Sequence, residues 1–223
     1  MEGHHQQGAR IRAQWSASAP FVKRAWKAIV VAKIGMQAAA LEAIGHPPAP
    51  LRMMMRRVQS GDTGNTEAQA ARHYWPLMMG PNFRRDTNGS GANALLNYGY
   101  TILRAATARA VAGAGLHPAI GIFHSNGSNA FALADDLMEP FRPLVDLTVR
   151  KITMTDGPDV TPAAKASLAQ LIALDLPFPG ETSPLATALT RLASSLAQSF
   201  ETRRLLLVLP GTPPVKALQS LGS

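Results

Sequence analysis

FVKRAWKAIVVAKIGMQAAALEAI, residues 21–44, decides the fold class. Trp26, Ile29, Val30, Ile34, Ala38 and Leu41 recur at the spacing that lines one face of an α-helix. Pro20 suits the first turn of such a helix, with Ser18 beside it as a cap, and Gly45-His46-Pro47-Pro48 ends it. Outward from this stretch the same signals repeat. Helices are expected over Leu51–Val58, over TEAQAARHYW (residues 66–75) up to Pro76, and over Ala92 to about Ala114, where Gly115 and His117-Pro118 stop the chain. Thr63 or Asn65 is positioned to cap the second of these. A helix interrupted at Pro140 and Pro143 is expected from Asn129 to about Ile152. Another follows the Thr161-Pro162 cap to about Leu174, and a last one runs from about Ser183 to Leu207. Ser60–Asn65, Gly80–Gly91 and Ser125–Ser128 read as turns or polar loops. No run of alternating strands is visible, so the expected class is all-α.

The chain has 223 residues, 46% hydrophobic and 16% charged, a globular rather than a disordered composition. It reads as an N-terminal remnant or linker (1–20), a helical domain (21–209) and a loose Pro/Gly-rich tail (210–223). Lys and Arg number 22 against 14 Asp and Glu, a net charge of +8 that favours a polyanionic partner, nucleic acid first. An Arg- and Ala-rich coding bias produces the same surplus. With no cysteine there are no disulfides, thiolate metal sites or thiol nucleophiles, in keeping with a reducing cytosol. No apolar run approaches the roughly 20 residues of a membrane span, and the N-terminal segment lacks a signal-peptide core.

Chemistry concentrates at three places. Glu67 lies in the first turn of a helix of small residues, which lets another helix pack closely. It reads either as a carboxylate aimed into a groove or as a complement to the helix dipole. His124 follows the apolar segment Ala119–Phe123 and opens a Gly/Asn/Ser turn. Asp135, Asp136 and Glu139 crowd one edge of a helix, and a metal or an arginine should offset them; Arg142, three residues after Glu139, is the arginine at hand. One histidine with two or three carboxylates and no cysteine suits Mg²⁺ or Mn²⁺, ions that serve phosphoryl transfer.

These stretches resemble the CRISPR-associated integrases of spacer acquisition, the Cas-one family, and its type II members most of all. The resemblance is carried by SGD with NTEAQAARHYW, then ANALLNYGYTILRAATARAVAGAGLHPAIGIFH, then NAFALADDLMEPFRPLVD, from about Gly61 to Asp146, with weaker agreement back to Arg10 and forward into TPAAKASLAQLI. It implies an all-α, multi-helix catalytic domain with the metal site between helices. It implies metal ligands at Glu67, His124 and Glu139, with Asp136 as a further acid beside the site, and supporting roles for Asn93, Asn97, Tyr98 and Asp135. The implied reaction is insertion of short foreign DNA into a CRISPR array by Mg²⁺- or Mn²⁺-assisted transesterification, in the cytoplasm of a prokaryote and with no membrane partner. The implied partners are protospacer and CRISPR-repeat DNA and a small adaptation protein. Arg56, Arg57, Arg84 and Arg85 read as phosphate contacts or as solvated surface charge.

Family members normally open with a β-rich domain that makes a homodimer, and this chain begins about where that domain ends. The alternative expectation is therefore a catalytically impaired DNA-binding or assembly fragment, with apolar surface exposed near residues 10–40.

Overall fold

A 25-residue helix runs through the middle of the protein. The structure is a computed structural model and describes residues 3–124, 127–178 and 180–222. In chain order the helices are α1 (Gly3–Trp15), α2 (Ala19–Ala43), α3 (Ala49–Arg57), α4 (Thr66–Met79), α5 (Ala92–Gly113), α6 (Ala132–Met138), α7 (Arg142–Thr155), α8 (Pro162–Gln170), α9 (Leu185–Thr202) and α10 (Val215–Gly222). Short 3₁₀ turns cover Ser60–Asp62, Glu139–Phe141 and Leu171–Ala173. α2 is the hub: Trp26, Ile29, Val30, Ile34 and Leu41 are buried, and α3, α4, α7, α10 and the turns at Ser60–Asp62 and Glu139–Phe141 pack around it. The fold is helical, as the periodicity of residues 21–44 predicts.

Several elements differ from expectation. α4 does not stop at Pro76 but runs on to Met79. Proline there forfeits one helical N–H, but the last turn is retained by buried Tyr74 and Met78 and by the Arg150 guanidinium, which donates to the Met78 carbonyl at 2.6 Å. Gly80, at φ +102°, ends the helix instead. Asn65 holds the N-cap position of α4, as one of the two residues expected there, but its side chain makes no capping hydrogen bond. The Asp62 carboxylate accepts from the backbone N–H of Thr66 at 2.8 Å and of Glu67 at 3.0 Å. The acidic stretch is broken into α6, a 3₁₀ turn and α7, with Pro140 inside the turn and Pro143 in the first turn of α7. Thr161 caps α8 as expected, accepting from Ala164 N–H at 3.1 Å.

A two-stranded antiparallel hairpin, β1 (Asp175–Phe178) and β2 (Glu181–Pro184), lies between α8 and α9, with Leu176 opposite Ser183. α9 ends at Thr202, where Arg203 turns left-handed. The chain then runs back along α9, its Leu206 and Val208 N–H groups donating to the hydroxyls of Ser199 and Ser195 at 2.9 Å. The segment after Pro210, expected to be loose, contains α10. Its Leu218 is fully buried, and α10 packs on α2 and α7.

The first twenty residues are also structured. Buried Gln14 of α1 donates to the carbonyls of His117 (3.0 Å) and Ile120 (2.8 Å) and accepts from His117 N–H at 2.8 Å. Arg10 pairs with Glu201 of α9 at 2.8 Å. Across residues 10–40 the large apolar side chain left exposed, among the described residues, is Trp15. The turn expected at Ser125–Ser128 falls partly outside the described residues, at Ser125 and Asn126. No helix among the described residues is long and apolar enough to cross a membrane.

Candidate active site

Glu67 and Glu139, far apart in the chain, meet at one lysine. Asp62 fixes the backbone of Glu67 at the start of α4 by the hydrogen bonds that cap the helix. Glu139 opens the 3₁₀ turn between α6 and α7. Lys33, on the buried side of α2, places its Nζ 2.5 Å from Glu67 Oε1 and 2.5 Å from Glu139 Oε2. Arg142 Nε lies 2.9 Å from Glu139 Oε1, the pairing expected from their spacing. Burial alone pushes the Glu139 carboxyl up, but the Lys33 and Arg142 cations outweigh it and hold it below the ordinary carboxylate value. Burial likewise lowers the Lys33 ammonium, and the two glutamates raise it further, so it stays charged.

His124 approaches from a third direction. Its Nδ1 lies 2.5 Å from Asp136 Oδ1. The Asp136 carboxylate, wholly buried, also accepts the backbone N–H groups of Ile122 (2.5 Å), Phe123 (2.9 Å) and His124 (3.3 Å). One acid thus fixes three residues of backbone and one ring. Gly121 is required here: a Cβ would fall 2.3 Å from the His124 carbonyl oxygen and 2.9 Å from Asp136 Oδ2. The hydrogen bond to Asp136 raises the His124 pKa above its ordinary value against the opposing effect of burial, and Asp136, Glu139 and Glu67 add to the rise. The Trp26 indole stacks on Phe123 at 4.4 Å and meets the His124 ring edge-on at 6.0 Å.

The other expected residues sit elsewhere. Asp135 faces Arg104 (Nε to Oδ1, 2.7 Å) and Asn129, not the glutamates. Asn93 and Asn97 hold Arg85, accepting from its guanidinium at 3.0 and 2.6 Å. Arg85 is thereby engaged, and it also lies over the Tyr100 ring. Tyr98 faces Lys165 of α8. Arg84, Arg56 and Arg57 are exposed.

Sequence reasoning missed a buried cluster beside the glutamates. Tyr100 and Tyr74 donate their hydroxyls to Asp146 at 2.5 and 2.9 Å. Burial pushes the Asp146 carboxyl up to about 6, although both tyrosines and the Arg142 cation pull it down. Beside this cluster lies a cavity of about 150 Å³ bordered by Lys33, Gln37, Trp75, Arg85, Tyr100 and Asp146. Lys33 did leave a signal: it lies on the same face as Ile29, Val30 and Gln37, three or four residues away along an apolar stripe.

Among the described residues no three His, Cys, Asp or Glu side chains form a ready ligand shell. The donor set nonetheless suits a hard divalent ion. Two carboxylate oxygens already converge on one cation, and Mg²⁺ asks for oxygen donors at roughly 2.0–2.1 Å. Asp136, with its oxygens taken by three amides and a ring nitrogen, fits a group that orients His124 better than a ligand.

Residues 1–156 match the family described as "CRISPR associated protein Cas1". The chain is 36% identical over 221 residues to the CRISPR-associated endonuclease Cas1 of Neisseria meningitidis, spanning 97% of this chain and 72% of that protein. It is 34% identical over 155 residues to a Cas1 endonuclease of Thermus thermophilus, of which it covers 48%. Among solved structures it resembles a casposase bound to its integration product, with a TM-score of 0.76 at 21% identity over 89% of this chain and 70% of that one. It also resembles a Cas1 protein from Thermotoga maritima, with a TM-score of 0.68 at 14% identity over 89% and 70%. At those identities the structures speak for the fold.

Proposed function

The chain belongs to the Cas1 family of CRISPR-associated proteins, and from that premise we propose that it is the catalytic part of a spacer-acquisition integrase, a Mg²⁺- or Mn²⁺-dependent DNA endonuclease and strand-transfer enzyme. One observation carries the reading: oxygens of Glu67 and Glu139 lie 2.5 Å from the same nitrogen.

Glu67, Glu139 and His124 would hold the ion. When bound it would act as a Lewis acid on the phosphate under attack. Asp136 accepts the proton side of His124 Nδ1, which leaves the Nε2 lone pair free for the ion. Arg142 offsets the negative charge that Glu139 brings into a buried position. In the strand transfer, a DNA 3′-hydroxyl oxygen forms a bond to the target phosphorus as the bond to the departing 3′-oxygen breaks. One phosphodiester replaces another, so no nucleotide triphosphate is consumed. Exposed Arg56, Arg57 and Arg84 supply phosphate contacts. The partners are protospacer and repeat DNA, a second copy of the protein and a small Cas2-type adaptation protein. Support for the last comes from a Cas6-RT-Cas1–Cas2 complex, whose structure this fold matches with a TM-score of 0.73 at 19% identity, covering 92% of this chain and 27% of that one.

A second reading, DNA binding without turnover, is favoured by Lys33 already pairing with both glutamates. Both are tested by incubating the protein with a labelled duplex bearing 3′-hydroxyl ends and a repeat-containing target, with Mn²⁺ or EDTA. Strand transfer or cleavage that needs Mn²⁺ and is lost in Glu67→Gln, His124→Ala and Glu139→Gln supports the enzyme. DNA bound equally by all four proteins, with no product from any, leaves the binding reading.

A further inference from the structure

Lys33 is a charged side chain, 13% exposed, held where two carboxylates converge. A divalent ion ligated by Glu67 and Glu139 has to enter the space between the same two oxygens. We propose that Lys33 is a resident counter-ion that stands in for the divalent ion and competes with it, and that metal loading drives the ammonium into the adjoining cavity toward Gln37. The proposal rests on the metal-dependent reading of Glu67 and Glu139.

Two independent observations support a two-position lysine. The first is the ion pair itself, with both contacts at 2.5 Å and no comparable contact from Lys33 to any other described acid. The second is the berth. Gln37 lies one turn further along α2 and is buried at 3% exposure, yet its Oε1 has no hydrogen-bond partner among the described residues. A buried acceptor left unpaired is costly, so an orphaned oxygen marks a place where a donor is expected. Gln37 lines a cavity of about 150 Å³ together with Lys33 and Asp146. The flexible four-carbon stem of lysine allows such a swing. With the ammonium in the first position the two acids stay paired in the absence of metal. With it in the second, the acids are free for the ion and Gln37 gains its donor.

The charge logic explains why a lysine is useful here. Two carboxylates facing each other with no cation between them repel, and a half-satisfied buried ionic group destabilises strongly. A resident ammonium keeps the empty site folded, at the expense of metal affinity. By linkage, whatever weakens the hold of Lys33 on the glutamates strengthens metal binding.

The test is calorimetric titration of Mn²⁺ into EDTA-treated, full-length protein near pH 8, together with thermal melts in EDTA and in Mn²⁺. Lys33→Met should bind Mn²⁺ tighter by on the order of tenfold. In EDTA it should melt lower than the wild type, and Mn²⁺ should raise its melting temperature more. Gln37→Leu should weaken Mn²⁺ binding in the wild-type background and leave it unchanged when combined with Lys33→Met, because the berth matters only when there is a lysine to receive. Lys33→Gln serves if Lys33→Met does not fold. Mn²⁺ affinity in the lysine variant equal to or below that of the wild type overturns the proposal while leaving the metal site intact. Glu67→Gln that binds Mn²⁺ as the wild type does, or no Mn²⁺ binding by any of the proteins, removes the metal reading itself.

Discussion

His124 Nδ1 lies 2.5 Å from Oδ1 of Asp136, a carboxylate with no solvent exposure that also holds the backbone amides of residues 122–124. Replacing Asp136 by Asn keeps the volume and removes the charge. We expect activity to fall about 10- to 100-fold, the usual effect of losing a partner that orients a metal ligand. The His124 pKa, followed by NMR titration, should drop toward its ordinary value, because the hydrogen bond to Asp136 is the largest cause of its rise. An unchanged titration curve would show that the acid does not hold the ring.

Gly121→Ala tests the same turn from the outside. The added Cβ would fall 2.3 Å from the His124 carbonyl oxygen, so the turn has to open. Overpacking of this kind costs about 1–3 kcal/mol, read as a lowered denaturation midpoint. Activity should fall further than the stability loss explains, since the displaced segment ends at His124.

The buried Asp146 makes stability depend on pH. Its folded value of about 6 lies above the ordinary 3.8, so the folded state keeps a proton that the unfolded state releases. This contribution is fully present below the unfolded value and is lost as pH rises through the folded one. Between about pH 4 and pH 7 it should withdraw about 3 kcal/mol. Asp146→Asn should flatten that part of the profile in denaturant melts taken across the range. A wild-type profile with no such slope would refute the assignment.

The arginines divide by environment. Arg56, Arg57 and Arg84 are exposed, whereas Arg85 is held by Asn93 and Asn97. Alanine at each of the first three should leave stability unchanged. Each should also reduce the slope of log affinity for duplex DNA against log salt by about 0.9, one phosphate contact apiece. Arg85→Ala should lower the melting temperature. Fluorescence anisotropy over a salt series and a thermal melt separate the two groups.

Leu218→Ala tests the tail. Leu218 is fully buried by α10 against α2 and α7, so truncation should cost about 2–5 kcal/mol. A change below 0.5 kcal/mol, the range of ordinary surface substitutions, would mean that α10 is not seated in solution.

What the sequence discloses is what depends on local spacing. The apolar stripe of α2, the Thr161 cap and the Glu139–Arg142 pair all join residues within a few positions of one another. The hairpin is invisible because each strand has four residues and each carries a proline, Pro177 or Pro184, too little for alternation to register. Pro76 reads as a stop because the Arg150 bond that secures the turn beyond it comes from another helix. Asp62 caps α4 from a left-handed position, φ 49°, reaching N–H groups four and five residues on, beyond the spacing of an ordinary N-cap. The partners of Lys33 lie on α4 and at the α6–α7 junction, so its role appears only once three helices are packed together.

Gln14 pins the chain at His117 and Ile120, and Asp136 pins it at residues 122–124. The approach to His124 is a short span anchored at one end by α1, from the far N-terminal part of the chain, and at the other by α6. A tethered imidazole would lose backbone and side-chain entropy at every encounter with substrate, of the order of 1–2 kcal/mol for each residue ordered. Here that ordering is completed when α1 and α6 dock, so the histidine is held in place in the free protein.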